Sequence, residues 1–162
     1  MGTYFFDTSV IVKRYTPEQG QTLVLDLCDP KWGHNLYISQ SAFVEVVSSF
    51  CRKAHEKVIT VEVRDRLIDL FRQDIPTGYI TIPVTTEIYS AAGNLCRTHR
   101  LRAYDAVQLA CALDLREQTR ASKLPDPIFL CADNNLLSIA NAEGFAIDNP
   151  NNYPQAKTES NE

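Results

Sequence analysis

The sequence predicts an α/β fold with a mostly parallel central sheet that is covered on both faces. Short apolar runs rich in β-branched and aromatic residues alternate along the chain with longer segments whose apolar residues recur at helical spacing. Strands that alternate with helices are joined by right-handed crossovers, so the strands run parallel and the helices cover the sheet. With 162 residues and 44% hydrophobic composition, the chain fits one domain with a substantial core.

The first half of the chain predicts two strands and several helices. Residues 3–6 form the first predicted strand, which ends at Asp7, and the Asp7-Thr8-Ser9 sequence supplies polar caps for a helix. Pro17 opens an amphipathic helix to about residue 27, which the Asp29-Pro30 pair stops. The remaining predicted elements of this half are a strand at 36–38, a helix that follows Ser39-Gln40-Ser41 and carries the apolar residues of 42–50, and a helix at 61–73.

The second half repeats the alternation. Residues 79–84 form a predicted strand that meets Pro83, which has no N–H to continue a ladder. A helix at 104–115 is apolar at most positions, so we expect it to be buried on nearly all sides. The other predicted elements are helices at 86–99 and 136–140 and strands at 127–132 and 144–147. The polar tail at 149–162 is expected to be disordered, which leaves residues 1–148 as the folded domain.

Charge and cysteine usage limit the class of protein. A formal charge of −4 and a pI near 5.4 exclude a broad basic surface, so any contact with nucleic acid is local or mediated by metal. The five cysteines are an odd number without a C-x-x-C spacing, and we interpret them as buried free thiols of a cytoplasmic protein. The N-terminus has neither a basic leader nor a long apolar stretch, so we expect no signal peptide and no transmembrane helix.

Four acidic residues stand at the junctions of predicted strands and helices. Asp7 and Asp133 each follow a predicted strand, and Glu45 and Asp105 lie in the opening turns of predicted helices. Ligands of parallel α/β sheets bind beyond the carboxyl ends of the strands, where these four positions would meet. Several carboxylates in one place form a hard, oxygen-rich site of the kind that holds Mg²⁺ or Mn²⁺.

Each acid taken alone also has an ordinary structural explanation. Asp105 at a helix N-terminus would contribute about 0.3–1 kcal/mol, and Asp133 would cap the following helix. Glu45 is harder to explain in this way, because its neighbours Val44 and Val46 are apolar and an isolated buried carboxylate is costly. A divalent cation would keep converging carboxylates ionised and would activate water for attack on a phosphodiester. The three histidines are far apart in sequence and lack ligand spacing, so we interpret them as surface residues.

Four segments carry a resemblance to a known family. They are Phe6-Asp7-Thr8-Ser9-Val10, Ala42-Phe43-Val44-Glu45-Val46, the stretch from Leu101 to Ala110 around Asp105, and Cys131-Ala132-Asp133-Asn134-Asn135-Leu136. Their order and spacing resemble a PIN domain of the VapC toxin type over about residues 3–148. The segment around Asp105 is the most specific of the four. The resemblance implies a three-layer α/β/α fold and a metal-dependent endoribonuclease that uses Mg²⁺ or Mn²⁺.

The resemblance also assigns roles to residues and suggests partners. Asp7, Glu45, Asp105 and Asp133 would be the catalytic and metal-binding acids, and the hydroxyls of Thr8 and Ser9 would support them. Cys131 stands two residues before the fourth acid, where the family commonly has Ser or Thr, and a thiol donates a weaker hydrogen bond. The implied partners are RNA, a cognate antitoxin and a second copy of the chain.

Two surfaces are candidates for contacts with these partners. Arg97, Arg100 and Arg102, together with His99, crowd the approach to Asp105 and would contact RNA phosphates, with Lys13 and Arg14 as a second basic pair. The alternative is a solvated helix C-terminus at which cations are favoured by the helix dipole. The apolar helices at 42–50 and 61–71 would supply an antitoxin groove, or they are ordinary core.

Two other functions remain open from the sequence. The first is a catalytically silent PIN-like module that binds RNA or protein, which an activity measurement would distinguish. The second is a phosphotransfer or phosphatase domain with Asp7 as nucleophile. The sequence disfavours this second function, because Ser9 stands where a D-x-D motif needs its second acid, and no Walker A loop occurs.

Overall fold

The computed structural model describes residues 1–155 and contains a five-stranded sheet with helices on both faces. The strands are β1 (Thr3–Phe6), β2 (Asn35–Ser39), β3 (Ile80–Ile82), β4 (Ile128–Leu130) and β5 (Ile147–Asp148). The α-helices are α1 (Thr8–Tyr15), α2 (Gln21–Leu27), α3 (Ala42–His55), α4 (Val61–Gly78), α5 (Thr86–Thr98), α6 (Ala103–Ala121) and α7 (Asn134–Ala142). Short 3₁₀ turns lie at Pro30–Trp32 and Pro150–Asn152.

The sheet is parallel throughout, with the strand order β3-β2-β1-β4-β5. The first strand lies at its centre, where Tyr4 is in register with Leu36 of β2 on one side and with Ile128 of β4 on the other. Because all strands point the same way, their carboxyl ends share one edge. The predicted three-layer α/β/α fold is confirmed.

Each face of the sheet has its own hydrophobic core. Phe5 and Phe6 are both fully buried, and they point to opposite faces because side chains alternate along a strand. Phe5 stacks on Phe129 in the core formed with α5, α6 and α7. Phe6 belongs to the core formed with α1 to α4, which includes Phe71. The run from Ala106 to Ala112 is buried without interruption, so the prediction that α6 is enclosed on nearly all sides is confirmed.

The observed ends of two helices differ from the predicted ends, because a glycine conformation or tertiary contacts determine where the helix begins or ends. Helix α2 begins at Gln21 rather than at Pro17, because Gly20 adopts a left-handed conformation with φ 85°. Helix α4 passes the predicted end at residue 73 and includes Pro76. Its last turns are held against α1, where Arg14 pairs with Asp74 at 3.0 Å.

The edge strands are shorter than predicted, and the last one is displaced. Residues 144–147 were expected to form a strand, but Gly144 adopts φ 89° after α7 and Phe145 enters the core. The strand is therefore Ile147–Asp148, which pairs with Phe129 and Leu130 of β4.

The segment 149–155, which we call the C-terminal strap, packs against the folded domain, although the sequence predicts that it belongs to a polar tail. It lies across the loop before α2, where Gly20 N donates to Tyr153 O at 3.1 Å and Thr22 N donates to Pro154 O at 3.3 Å. Gly20 approaches the backbone of Pro150 so closely that no Cβ would fit. These hydrogen bonds satisfy the polar backbone of the strap, so the ordered structure continues past residue 148. The rest of the predicted tail, 156–162, lies outside the described residues.

The cysteines are free thiols, as expected, but they are not all buried. Cys111 and Cys131 are buried, whereas Cys96 is exposed because it lies on the outer face of α5. Among the described helices, none is both long and apolar enough to cross a membrane.

Candidate active site

A cavity of about 720 Å³ at the carboxyl edge of the sheet contains all four predicted acids. Asp7 follows β1, Asp133 follows β4, and Glu45 and Asp105 lie in the first turns of α3 and α6. Four segments that are distant in sequence therefore bring their carboxylates to one concave surface. The other lining residues are Thr8, Ser9, Val12, Lys13, Glu18, Val44, Ser48, Ser49, Arg52, Lys53, Glu56, Arg102, Tyr104, Ala132 and Asn151.

Asp7 is the most deeply placed of the four, with 6% of its surface exposed. Its Oδ2 accepts hydrogen bonds from Ser9 N at 3.0 Å and from Ser9 Oγ at 2.6 Å, which makes Asp7 the N-cap of α1. Burial raises the pKa of Asp7, and the hydrogen bonds from Ser9 only partly oppose that rise. Ser9 Oγ also accepts from Ala132 N at 2.9 Å and so joins the ends of β1 and β4.

Glu45 is held by two side chains. Its Oε1 accepts from Gln108 Nε2 at 2.6 Å and from Ser41 Oγ at 3.1 Å. Burial, followed by the nearby charge of Asp7, raises the pKa of Glu45 to about 7. Gln108 is fully buried and also donates to Thr8 Oγ1 at 3.0 Å, so one amide on α6 links α1 to α3.

Asp105 and Asp133 face the cavity from the other side. Burial raises the pKa of Asp105, the charges of Asp7 and Asp133 add to the rise, and Arg102, 4.0 Å away, opposes it. Asp133 Oδ1 accepts from Leu136 N at 2.9 Å and thereby caps α7. Asp133 therefore has the ordinary capping role, and it also lines the cavity.

Cys131 connects two of the acids through its thiol. Its Sγ lies 3.4 Å from Asp7 Oδ2, to which it donates, and accepts from Asp133 N at 3.2 Å. Burial raises the pKa of Cys131 well above its usual range, so the group is a neutral thiol. The thiol therefore bridges the side chain of Asp7 and the backbone of Asp133.

Some of the predicted cations line the cavity or its neighbour, and others do not. Arg102 lines the acidic cavity, and Arg100 lines a smaller neighbouring cavity of about 450 Å³ that also includes Asp105 and Asp133. Arg97 is exposed on the last turn of α5 and does not line either cavity. Arg14 is directed to Asp74 instead.

A second basic group on the opposite wall was only partly anticipated. Lys13, Arg52 and Lys53 line the cavity from α1 and α3, and Glu18 lies between the two lysines, at 3.2 Å from Lys13 Nζ and 3.6 Å from Lys53 Nζ. Sequence reasoning named Lys13 but missed Arg52 and Lys53, since only the fold brings the C-terminal half of α3 to the cavity. Glu45, a predicted site residue on the same helix, is the sequence signal that one face of α3 lines the cavity.

The acidic cavity suits a divalent cation by its donor chemistry. It offers several carboxylate oxygens, which are the ligands that Mg²⁺ and Mn²⁺ prefer. Burial, and then the charge of neighbouring carboxylates, raises the pKa of Glu45 and of Asp105. In residues 1–155, no three His, Cys, Asp or Glu side chains are grouped closely enough to hold an ion as they stand. Mg²⁺ commonly keeps several waters and is held by one or two carboxylates, so the wide cavity agrees with a partly hydrated ion.

Fold and cavity together define a protein of the PIN-like nuclease class, with an α/β/α sheet and acids at its carboxyl edge. The family model of the PIN domain matches residues 4–124. The ribonuclease VapC45 of Mycobacterium tuberculosis (strain CDC 1551 / Oshkosh) is 32% identical over 118 residues, which cover 70% of this chain and 76% of that relative. The chain belongs to the PIN domain family, and within it to the VapC type.

Solved structures share the fold at low sequence identity. The crystal structure of FitAcB from Neisseria gonorrhoeae has a TM-score of 0.59 at 17% identity and covers 91% of this chain and 97% of that chain. A toxin–antitoxin complex from Klebsiella pneumoniae has a TM-score of 0.57 at 15% identity, with the same two coverages. The C-terminal strap lies beyond the residues that the family model matches.

Proposed function

We propose that this chain is a divalent-metal-dependent endoribonuclease and the toxin of a toxin–antitoxin pair. The observation that carries the proposal is the meeting of Asp7, Glu45, Asp105 and Asp133 in one cavity at the carboxyl edge of the sheet. Membership of the PIN domain family and the relationship to a ribonuclease VapC support the same activity.

In this proposal the four acids hold Mg²⁺ or Mn²⁺. When bound, the ion supplies charge neutralisation at the phosphodiester and lowers the pKa of water. The chain's own contribution is positional. Ser9 and Cys131 fix the carboxylate of Asp7, while Gln108 fixes that of Glu45 and holds the Thr8 hydroxyl. Because Asp7 and Glu45 are held by neutral donors, the negative charge of the two carboxylates is left for the cation to balance.

The cations around the cavity are proposed to guide the RNA backbone. Arg102 and Arg100 lie on the side of Asp105, and Arg52 and Lys53 lie on the opposite wall. A strand that crosses the acidic floor would meet positive charge on both sides, which offsets the repulsion between phosphates and carboxylates. Arg97 would extend this path only at its outer end.

An antitoxin is the proposed protein partner, and the hairpin of α3 and α4 is its proposed docking surface. A toxin–antitoxin complex is among the structures that share the fold. The hairpin exposes several large apolar side chains, namely Val44, Val58, Val61, Val63 and Leu70. The same helices also supply core, since Phe50 and Phe71 are fully buried, so the proposed docking surface is confined to their exposed faces.

Two further properties belong to the proposal. We propose that the chain acts in the cytoplasm, in keeping with its free thiols. We also propose that it forms a homodimer, which sedimentation of the purified chain would test.

The first experiment is cleavage of a mixed set of single-stranded and structured RNAs with Mn²⁺, Mg²⁺ or EDTA. The wild-type chain is compared with Asp105→Asn and with the control Asp114→Asn. Asp114 lies on the same helix but is exposed, and it does not line the cavity, so its substitution is a matched change of charge. We expect metal-dependent cleavage by the wild type and the control, and loss of cleavage in Asp105→Asn.

The same experiment identifies the alternative function. If all three folded proteins bind RNA and none cuts it with any metal, the silent binding module replaces the nuclease proposal. If wild type and Asp105→Asn cut equally well, the cleavage comes from elsewhere and the assignment of the site is wrong.

A further inference from the structure

The acidic cavity has a single aromatic side chain among the described residues that line it. Tyr104 directly precedes Asp105 in the first turn of α6, and 51% of its surface is exposed. Most of the other lining residues are charged or polar. A large ring is therefore held open to solvent beside the group that we propose to be catalytic.

Packing within the chain does not explain this ring. Among residues 1–155, Tyr104 takes part in none of the ring–ring or cation–ring contacts. Trp32 is similarly exposed at 48%, but its indole N–H donates to Asp26 and the ammonium of Lys31 lies 5.0 Å from its ring centre. The exposed tryptophan is thus engaged by its neighbours, whereas among residues 1–155 the tyrosine ring has no aromatic or cationic partner.

We propose that Tyr104 is a stacking platform for an unpaired RNA base next to the phosphate that is cut, an inference that rests on the proposed nuclease function. Every base has a π-face, so stacking on an aromatic side chain binds single-stranded RNA without requiring a particular sequence. The neighbouring Arg102 supplies charge for the backbone, while Tyr104 supplies area for the base. Bases inside a duplex are already stacked and are not available to the ring.

An RNA base suits this ring better than an apolar protein segment does. The floor of the cavity is carboxylate, and its two walls carry Arg102 on one side and Lys53 on the other. An apolar segment would desolvate these charges without pairing them, which is costly. A nucleotide brings a phosphate for the cations and a flat, apolar face for the ring.

The test compares four full-length proteins: wild type, Tyr104→Phe, Tyr104→Leu and Tyr89→Leu. Tyr89 is the matched control, because it is 61% exposed on α5 and does not line the cavity. The probe is a short single-stranded RNA of mixed sequence that carries the fluorescent base 2-aminopurine at interior positions. Binding is followed in EDTA by anisotropy and by the quenching of 2-aminopurine that accompanies stacking. Cleavage kinetics with Mn²⁺ are measured on the same RNA.

We expect Tyr104→Leu to weaken RNA binding by about five- to fiftyfold and to remove most of the quenching. Tyr104→Phe and Tyr89→Leu should both stay within about twofold of the wild type, since each keeps the ring at the cavity. In cleavage the effect of Tyr104→Leu should appear mainly in KM, and it should be small on a fully duplex RNA.

The outcomes separate this inference from the proposed function. If the wild type cuts RNA and Tyr104→Leu binds and quenches as the wild type does, the stacking role is overturned while the nuclease stands. If Tyr104→Phe loses as much as Tyr104→Leu, the hydroxyl and not the ring makes the contact, and the inference also fails. If the wild type neither binds nor cuts RNA, the proposed function is overturned together with this inference.

Discussion

Neutralising Glu45 should make the metal-free protein more stable at neutral and alkaline pH. Glu45→Gln keeps the carbonyl oxygen that accepts from Gln108 at 2.6 Å and from Ser41 at 3.1 Å. It removes the charge that is penalised by burial and by the nearby charge of Asp7. The substitution therefore separates the hydrogen bonds of Glu45 from the cost of its ionisation.

The size of the effect follows from the pKa of Glu45. A rise from 4.5 to about 7 corresponds to about 3 kcal/mol once the side chain is fully ionised. Glu45 is not completely enclosed, and screening by solvent reduces the cost, so we expect about 1–2 kcal/mol. The folded protein holds this proton more tightly than the unfolded chain does. The stability that the Glu45 proton contributes is therefore fully present below pH 4.5 and is lost as pH rises through about 7.

Urea unfolding in EDTA at about pH 4.5 and about pH 8, followed by circular dichroism, measures the difference. We expect Glu45→Gln and wild type to be alike at the lower pH and the variant to be more stable at the higher pH. Glu56→Gln is the control, since Glu56 lines the same cavity but is exposed, and it should change stability by less than about 0.5 kcal/mol. A stability difference that does not change with pH, or a less stable variant at about pH 8, would refute the reasoning.

Three other substitutions test the architecture of the site. Gln108→Ala leaves a cavity in the core and removes one donor from each of the partly buried Thr8 and Glu45, so it should destabilise by about 2–3 kcal/mol in urea unfolding. The exposed Gln118→Ala should have little effect. Gly20→Ala places a methyl group against the C-terminal strap at φ 85° and should destabilise by about 1–3 kcal/mol; a Tm equal to that of the wild type would show that the strap is not packed there. Arg102→Glu should lower kcat/KM for RNA about tenfold at low salt and reduce its salt dependence. Arg97→Glu, outside the cavity, should cause a smaller loss. Equal losses of kcat/KM in the two variants would show that the RNA path extends along α5.

The fold was predictable from sequence where a local pattern and the tertiary environment agree. The first strand was predicted with its observed bounds, because a short apolar run meets a capping acid there. The start of α2 was not predicted correctly, since Pro17 commonly opens a helix. Only the contact of Gly20 with Pro150 shows why this helix begins later. The strap was missed for the same reason. Its polar residues look disordered until the loop before α2 supplies hydrogen bonds to Tyr153.

The site was predictable to the extent that its residues share an edge of the sheet. Asp7 and Asp133 follow strands, and the carboxyl ends of parallel strands must meet, so their convergence follows from the fold class alone. The hydrogen bonds from Gln108 to Thr8 and Glu45 are different, because they depend on how three helices pack. Spacing in the sequence carries no information on such contacts.

The central position of β1 has a consequence for the order in which the protein is made. The ribosome synthesises β1 well before one of its two neighbours in the sheet, β4, which begins only at Ile128. A growing chain therefore keeps one edge of β1 unpaired, and it lacks Asp133, until β4 and the residues that follow it have been translated. Closing this long-range pairing is slow compared with local helix formation. The four acids can therefore meet in one cavity only after the segment from β4 to Asp133 has been made.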